Sequence, residues 1–244
     1  MLRLIFVFLF FQAFVFGADP VIPTMNFELN APKTPEQLVS SLNVLVLLTL
    51  LFLAPSMILV MTTFTRFVIV FGFLRQALGT QQVPPTQLLV MLAMILTFYV
   101  MEPVGTQAYE DGIKPYIEKK IGYEDAFVKT TLPFKSFMIR NTREKDLALF
   151  FRIRKMKNPQ SIAEVPLSIV IPAFVISELK TAFEIGFLLF LPFLVIDMVV
   201  ASILMSMGMM MLPPVMIALP FKILIFVLID GWNLLIGNLI ASIK

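Results

Sequence analysis

Residues 185–240 read IGFLLFLPFLVIDMVVASILMSMGMMMLPPVMIALPFKILIFVLIDGWNLLIGNLI, two long apolar runs, Ile185–Leu212 and Val215–Ile240, meeting at Pro213-Pro214. Consecutive prolines cannot continue a helix, so the stretch predicts a helical hairpin with its turn at that pair. Six of the chain's 16 methionines fall in the twelve residues Met205–Met216. Gly208 and the two prolines make that run read as a non-helical loop at the hairpin tip. Methionine is unbranched and polarizable, so it fills irregular gaps and tolerates changing partners. The run serves either as ordinary apolar filling or as a soft ring that closes a hole when several copies assemble.

Working outward, a second pair of apolar segments lies near the start. Leu42–Met61 is long enough to cross a bilayer, with Asn43 near its start and Pro55 inside. Leu88–Met101 is short for a free span, since about 20 residues cover the roughly 30 Å hydrocarbon core. The expected fold is all-α: two long apolar helical hairpins, 42–104 and 185–240, flanking a polar helical insert at 105–184. From Glu102 to Glu184 that region carries 13 basic and 11 acidic residues, most of the chain's charge, so it faces solvent. Apolar residues return at three- and four-residue steps over Glu124–Phe137 and Thr142–Met156, which predicts helices there.

Met1-Leu2-Arg3 and the apolar run Leu4–Phe16 resemble an export signal, too short to span but right for a signal core. The expected organisation is a signal peptide at 1–18, a linker at 19–41, the two hairpins, and residues 185–244 as the second hairpin with its Met-rich tip. With residue 19 outside the cytoplasm, four crossings put 62–87 inside, the insert in the periplasm and 205–216 inside. Arg66 and Arg75 then count as topology charges in a cytoplasmic turn. The insert's bases alone would favour the cytoplasm, but long loops translocate largely regardless of charge.

Composition excludes much. Of 244 residues, 59% are apolar and 14% charged, against about 25% charged in ordinary soluble domains. There is no histidine and no cysteine, so no imidazole base, thiolate nucleophile or zinc knuckle is available. No phosphate-cradling glycine motif occurs. The net charge of +3 is scattered, without the basic–aromatic strip of a nucleic-acid binder. Neither an enzyme, a cofactor nor a nucleic-acid partner is expected.

Asp197, Lys222 and Asp230 lie within the apolar runs, alongside Pro192 and Pro220. Each such charge costs about 2.5–3.5 kcal/mol at a bilayer centre, so these helices belong against protein. A turn at Pro213-Pro214 sets Asp197 level with Asp230 and leaves Lys222 about 12 Å lower. Lys222 is therefore expected to meet an acid of a neighbouring subunit, an assembly lock. The alternative is an in-chain pair allowed by a displaced turn or a kink at Pro220. A self-contained proton or ion transporter using Asp197, Lys222 and Asp230 is the competing function.

Several blocks resemble the FliP family of flagellar type III export proteins. Pro172-Ala-Phe-Val-Ile-Ser-Glu-Leu-Lys-Thr-Ala-Phe-Glu-Ile-Gly-Phe187 is similar to one signature; Leu219-Pro-Phe-Lys222 with Asp230-Gly-Trp232 resembles the other. Thr62–Arg66, Arg75–Thr80 and Asn141–Glu144 also fit. The resemblance covers about residues 40–241. It implies a core subunit of the export gate, homo-oligomeric (a pentamer by resemblance), joining FliQ and FliR subunits in a helical ring. It further implies contact with other export-apparatus membrane proteins and the basal-body ring, in the inner membrane and raised toward the periplasm. Unfolded flagellar proteins cross its pore, driven by proton-motive force and a separate ATPase. By that resemblance Met209, Met210 and Met211 form the pore gasket, and Arg143, Glu178, Asp197 and Lys222 take intersubunit or buried charge roles, the alternative for Arg143 and Glu178 being a solvated face of the insert.

Overall fold

The computed structural model describes residues 35–80, 83–156, 161–209 and 212–244; the expected export signal and most of the linker lie outside them. Every regular element among the described residues is helical: α1 (Pro35–Val60), α2 (Phe64–Leu78), α3 (Thr86–Ala108), a π-helical turn (Tyr109–Ile113), α4 (Lys114–Ile117), α5 (Tyr123–Asn141), α6 (Glu144–Ile153), a 3₁₀ turn (Ile162–Glu164), α7 (Leu167–Ser206), α8 (Pro214–Leu228) and α9 (Gly231–Ala241). The chain divides into residues 1–49 and residues 50–244. In the first unit, Val44 to Leu48 expose their apolar side chains.

In the second unit α2 is the central helix. Phe67, Val70, Phe71 and Leu74 repeat at helical spacing and are fully buried. They pack with Leu89 and Ala93 of α3, Ala182 and Phe193 of α7, Phe226 of α8, and Leu235 and Leu239 of α9. The segment 62–87, expected as a turn between spans, holds a core helix built by the periodicity of 64–78. Its end is set by Gly79, whose φ of 76° is left-handed and whose N–H donates to the Gln76 carbonyl at 3.0 Å. A second cluster joins Met101 and Val104 of α3 to Phe137 and Met138 of α5, Phe151 of α6, and Ile169, Val170 and Phe174 of α7. Ile243 packs against both clusters.

Two expected boundaries move. The segment read as short, Leu88–Met101, continues helical through the π turn as Thr86–Ile117. α7 runs 40 residues from Leu167, about 60 Å, so the last part of the expected insert belongs to the long apolar helix. α2 crosses α7 where Gly186 lacks a side chain; a Cβ there would fall 2.4 Å from Phe73 Cδ2. Thr86–Ile117 and Leu167–Ser206 are long and apolar enough to cross a membrane, and α8 with α9, bent by 65°, can count as a third. These are the spans among the described residues. The bend falls at Ile229-Asp230 and not at Pro220, which sits inside α8.

The π turn creates a second close approach. A Cβ on Gly112 would fall 2.7 Å from the Thr130 backbone nitrogen and 2.9 Å from its Cα, atoms that move only if α5 moves. Gly112→Ala is expected to cost about 1–3 kcal/mol, as overpacking does. Faster proteolysis between α4 and α6 and a lower melting temperature in detergent would register it.

Candidate functional site

Two buried ion pairs organise the molecule. The first joins α2 to α7. Arg66, 2% exposed, donates from Nε to Glu178 Oε2 at 2.8 Å and from Nη2 to Glu178 Oε1 at 2.5 Å, while Glu178 is fully buried. The Arg66 Nη1 donates to the Ser242 carbonyl at 3.0 Å and to Ser242 Oγ at 2.8 Å. The planar guanidinium thus meets one carboxylate with two parallel bonds and uses its remaining edge on the tail beyond α9. Asn141 fastens the same tail, exchanging hydrogen bonds with the backbone of Lys244 at 3.0 Å each way.

The second pair lies below the hairpin tip. Lys222, 2% exposed, donates to Asp197 Oδ2 at 2.6 Å and to the Ala77 carbonyl at 3.0 Å. The ammonium therefore ties α8 to α7 and to the last turn of α2, where carbonyls have no helical partner and carry the negative end of the helix dipole. Asp197 Oδ1 is buried and has no hydrogen-bond partner among the described residues.

Of the two expected arrangements, the in-chain pair is the one seen: Lys222 meets Asp197 of its own chain. The reason is the position of the turn. α7 stops at Ser206 and Pro214 already opens α8, so the connection is centred before the proline pair. Asp197 lies nine residues from the end of α7 and Lys222 eight from the start of α8, which brings both to about 12–14 Å from the tip. The Asp230 expected level with Asp197 is instead at the α8–α9 joint, exposed, in a left-handed conformation with φ 51°.

Glu178 and Arg143 likewise have partners within the chain, Glu178 as a fully buried charge. Arg143 donates to Glu184 Oε2 at 2.5 Å and its backbone N–H to Ser177 Oγ at 3.0 Å; Ser177 in turn donates to Asp146 Oδ2 at 2.7 Å. Arg66, Ser177 and Ser242 were not among the expected site residues. The signals were the helical period through Arg66 and its place in the Thr62–Arg66 block.

At the tip, the α7 terminus closes with the Met209 N–H donating to the Leu204 carbonyl and the Gly208 N–H to the Met205 carbonyl, both at 3.0 Å. Gly208 supplies the left-handed φ of 75° that this closure requires. Met205, still helical, and Met207, Met209 and Met216 are exposed. Met210 and Met211 lie outside the described residues.

Described residues that are helical in every regular element, with spans of membrane length, buried ion pairs and broad apolar faces left uncovered, define a helical protein of the membrane-protein class. The chain belongs to the FliP family, whose sequence model matches residues 47–239. It is 53% identical over 208 residues to the flagellar biosynthetic protein FliP of Bacillus subtilis, covering 85% of this chain and 94% of that protein. The protein of the same name from Caulobacter vibrioides is 54% identical over 198 residues, covering 81% of this chain and 74% of the relative. That of Treponema pallidum is 46% identical over 223 residues, covering 91% and 82%. The blocks that carry the resemblance converge in space: Thr62–Arg66 on Pro172–Phe187 through Arg66 and Glu178, and Arg75–Thr80 on Leu219–Lys222 through the Ala77 carbonyl.

Proposed function

We propose that this chain is a core subunit of the flagellar type III export gate, a structural component of the pore and not an enzyme. Several copies, five by family resemblance, join FliQ and FliR subunits in a ring seated in the inner membrane and the basal body. The 105–184 insert faces the periplasm, and unfolded flagellar proteins pass through the centre. One observation carries this reading: only 11% of the most apolar window of α7 is buried by the chain itself. The helices' strongest polar needs are nevertheless met internally, by Arg66–Glu178 and Lys222–Asp197. A largely apolar and uncovered surface suits packing against other apolar helices.

Met209, Met210 and Met211 are the gasket of this pore, soft enough to seal around chains of varied sequence. The transporter alternative draws less support, because Lys222 is occupied by Asp197 while Asp230 has no ion pair among the described residues. Thinning the tip to Met209→Ala/Met210→Ala/Met211→Ala is expected to leave assembly intact and raise the resting ion leak of the reconstituted complex. An unchanged leak would overturn the gasket. A monomer by native mass measurement of the detergent-extracted protein would overturn the gate.

A further inference from the structure

Arg75, Asp230 and Glu102 on the apolar helices have no opposite charge beside them among the described residues, and the first two are of opposite sign and close in height. Arg75, in the last turn of α2, donates to neutral Thr86 Oγ1 at 2.7 Å. It borders an open cleft of about 360 Å³ formed with Gly72, Gln76, Gly79 and Thr80. Asp230 protrudes at the α8–α9 joint, surrounded in sequence by exposed Val227, Leu228, Ile229 and Leu234. Its left-handed backbone is a conformation that a non-glycine residue adopts at some cost. A carboxylate set in apolar surface calls for a cation, and a guanidinium in a cleft is shaped to grip one through two parallel bonds.

The two sites also share a level. Phe73, two residues before Arg75, packs edge-on against Phe183 and faces Gly186 of α7. Phe226, four residues before Asp230, packs on Phe193. Because Lys222 meets Asp197 one turn before Phe226 meets Phe193, α8 runs back along α7 and carries Asp230 toward the height of Phe73. Complementary charges at one height, with no ion pair between them within the chain, suit a head-to-tail contact that repeats from copy to copy.

We propose that Asp230 of one copy seats in the Arg75 cleft of the next. This rests on the ring reading above and names one of its contacts. The chain has no cysteine, so Arg75→Cys and Asp230→Cys each create a sole thiol. The two variants, differently tagged and co-expressed with the remaining export subunits, are extracted as a complex, weighed by native mass measurement and treated with a short bismaleimide. A mixed dimer is expected, absent when Lys129→Cys replaces Arg75→Cys. Independently, Arg75→Asp and Asp230→Arg should each lower the yield of multimer by about tenfold or more, as loss of a close interfacial charge pair does. Exchanging the two charges in the same chain should restore it. Multimers that give neither the mixed dimer nor rescue would overturn the contact while leaving the ring standing; Asp230 would then face lipid or a different subunit. A monomeric wild-type mass would overturn both.

Discussion

Glu178→Ala is expected to destabilise the protein by about 3–5 kcal/mol, the cost of stranding one member of a buried ion pair. Glu178 is fully buried and both its oxygens are used by Arg66. Without it the guanidinium keeps only the Ser242 carbonyl and hydroxyl, neutral acceptors that cannot balance its charge. Glu178→Gln should cost nearly as much, since the amide restores volume and one acceptor but not the negative charge. Arg66→Met should fall in the same range, because it leaves a carboxylate inside the second unit. Arg66→Met combined with Glu178→Leu should lose far less than the two single losses added together, since a well-packed apolar pair avoids the desolvation of both ions. Thermal unfolding of the detergent-extracted protein, run as a double-mutant cycle, measures the difference. Simple additivity would mean that the two residues do not act as a pair.

The same pair shows where sequence reading reaches and where it stops. Helix type was legible because apolar residues repeat at helical spacing and because no alternating pattern competes. The importance of Glu178 was legible through its block, yet its partner was not: Arg66 and Glu178 are 112 residues apart, and no local rule connects them. Between two spans of membrane length, 62–87 reads as a turn and Arg66 as a topology charge. The period through Phe67, Val70, Phe71 and Leu74 was there to be counted, but a span-length filter passes over a helix of 15 residues. Lys222 was missed differently. Its pairing depends on where α7 stops, and a proline pair marks where a helix cannot continue, not where the preceding one ends. Pro214 opens α8 because proline at a first helical position gives up an N–H that would be unpaired anyway. A shift of a few residues in the turn decided whether the acid was in this chain or the next.

Asp197→Leu and Lys222→Met should therefore differ, although they break the same bond. Asp197→Leu leaves an ammonium that is 2% exposed with only the Ala77 carbonyl, and about 3–5 kcal/mol is the expected loss. Lys222→Met leaves a carboxylate whose side chain is 30% exposed and so less desolvated than the ammonium, and the loss should be nearer 1–3 kcal/mol. The two substitutions in one chain should approach the wild type. How they are distributed tests where the pair resides: placed together on some copies and mixed with wild-type copies, they should be tolerated, because each chain settles its own charges. Placed on different copies, each chain would hold one unanswered charge, and the complex should melt earlier or fail to form. The reverse pattern would restore the intersubunit lock. Because the pair stands about 12 Å from the tip, Lys222→Met should also loosen the α7–α8 hairpin beneath the methionines. A resting ion leak in reconstituted complexes of that variant is the expected functional trace, and its absence would mean that the tip holds its shape without the ion pair.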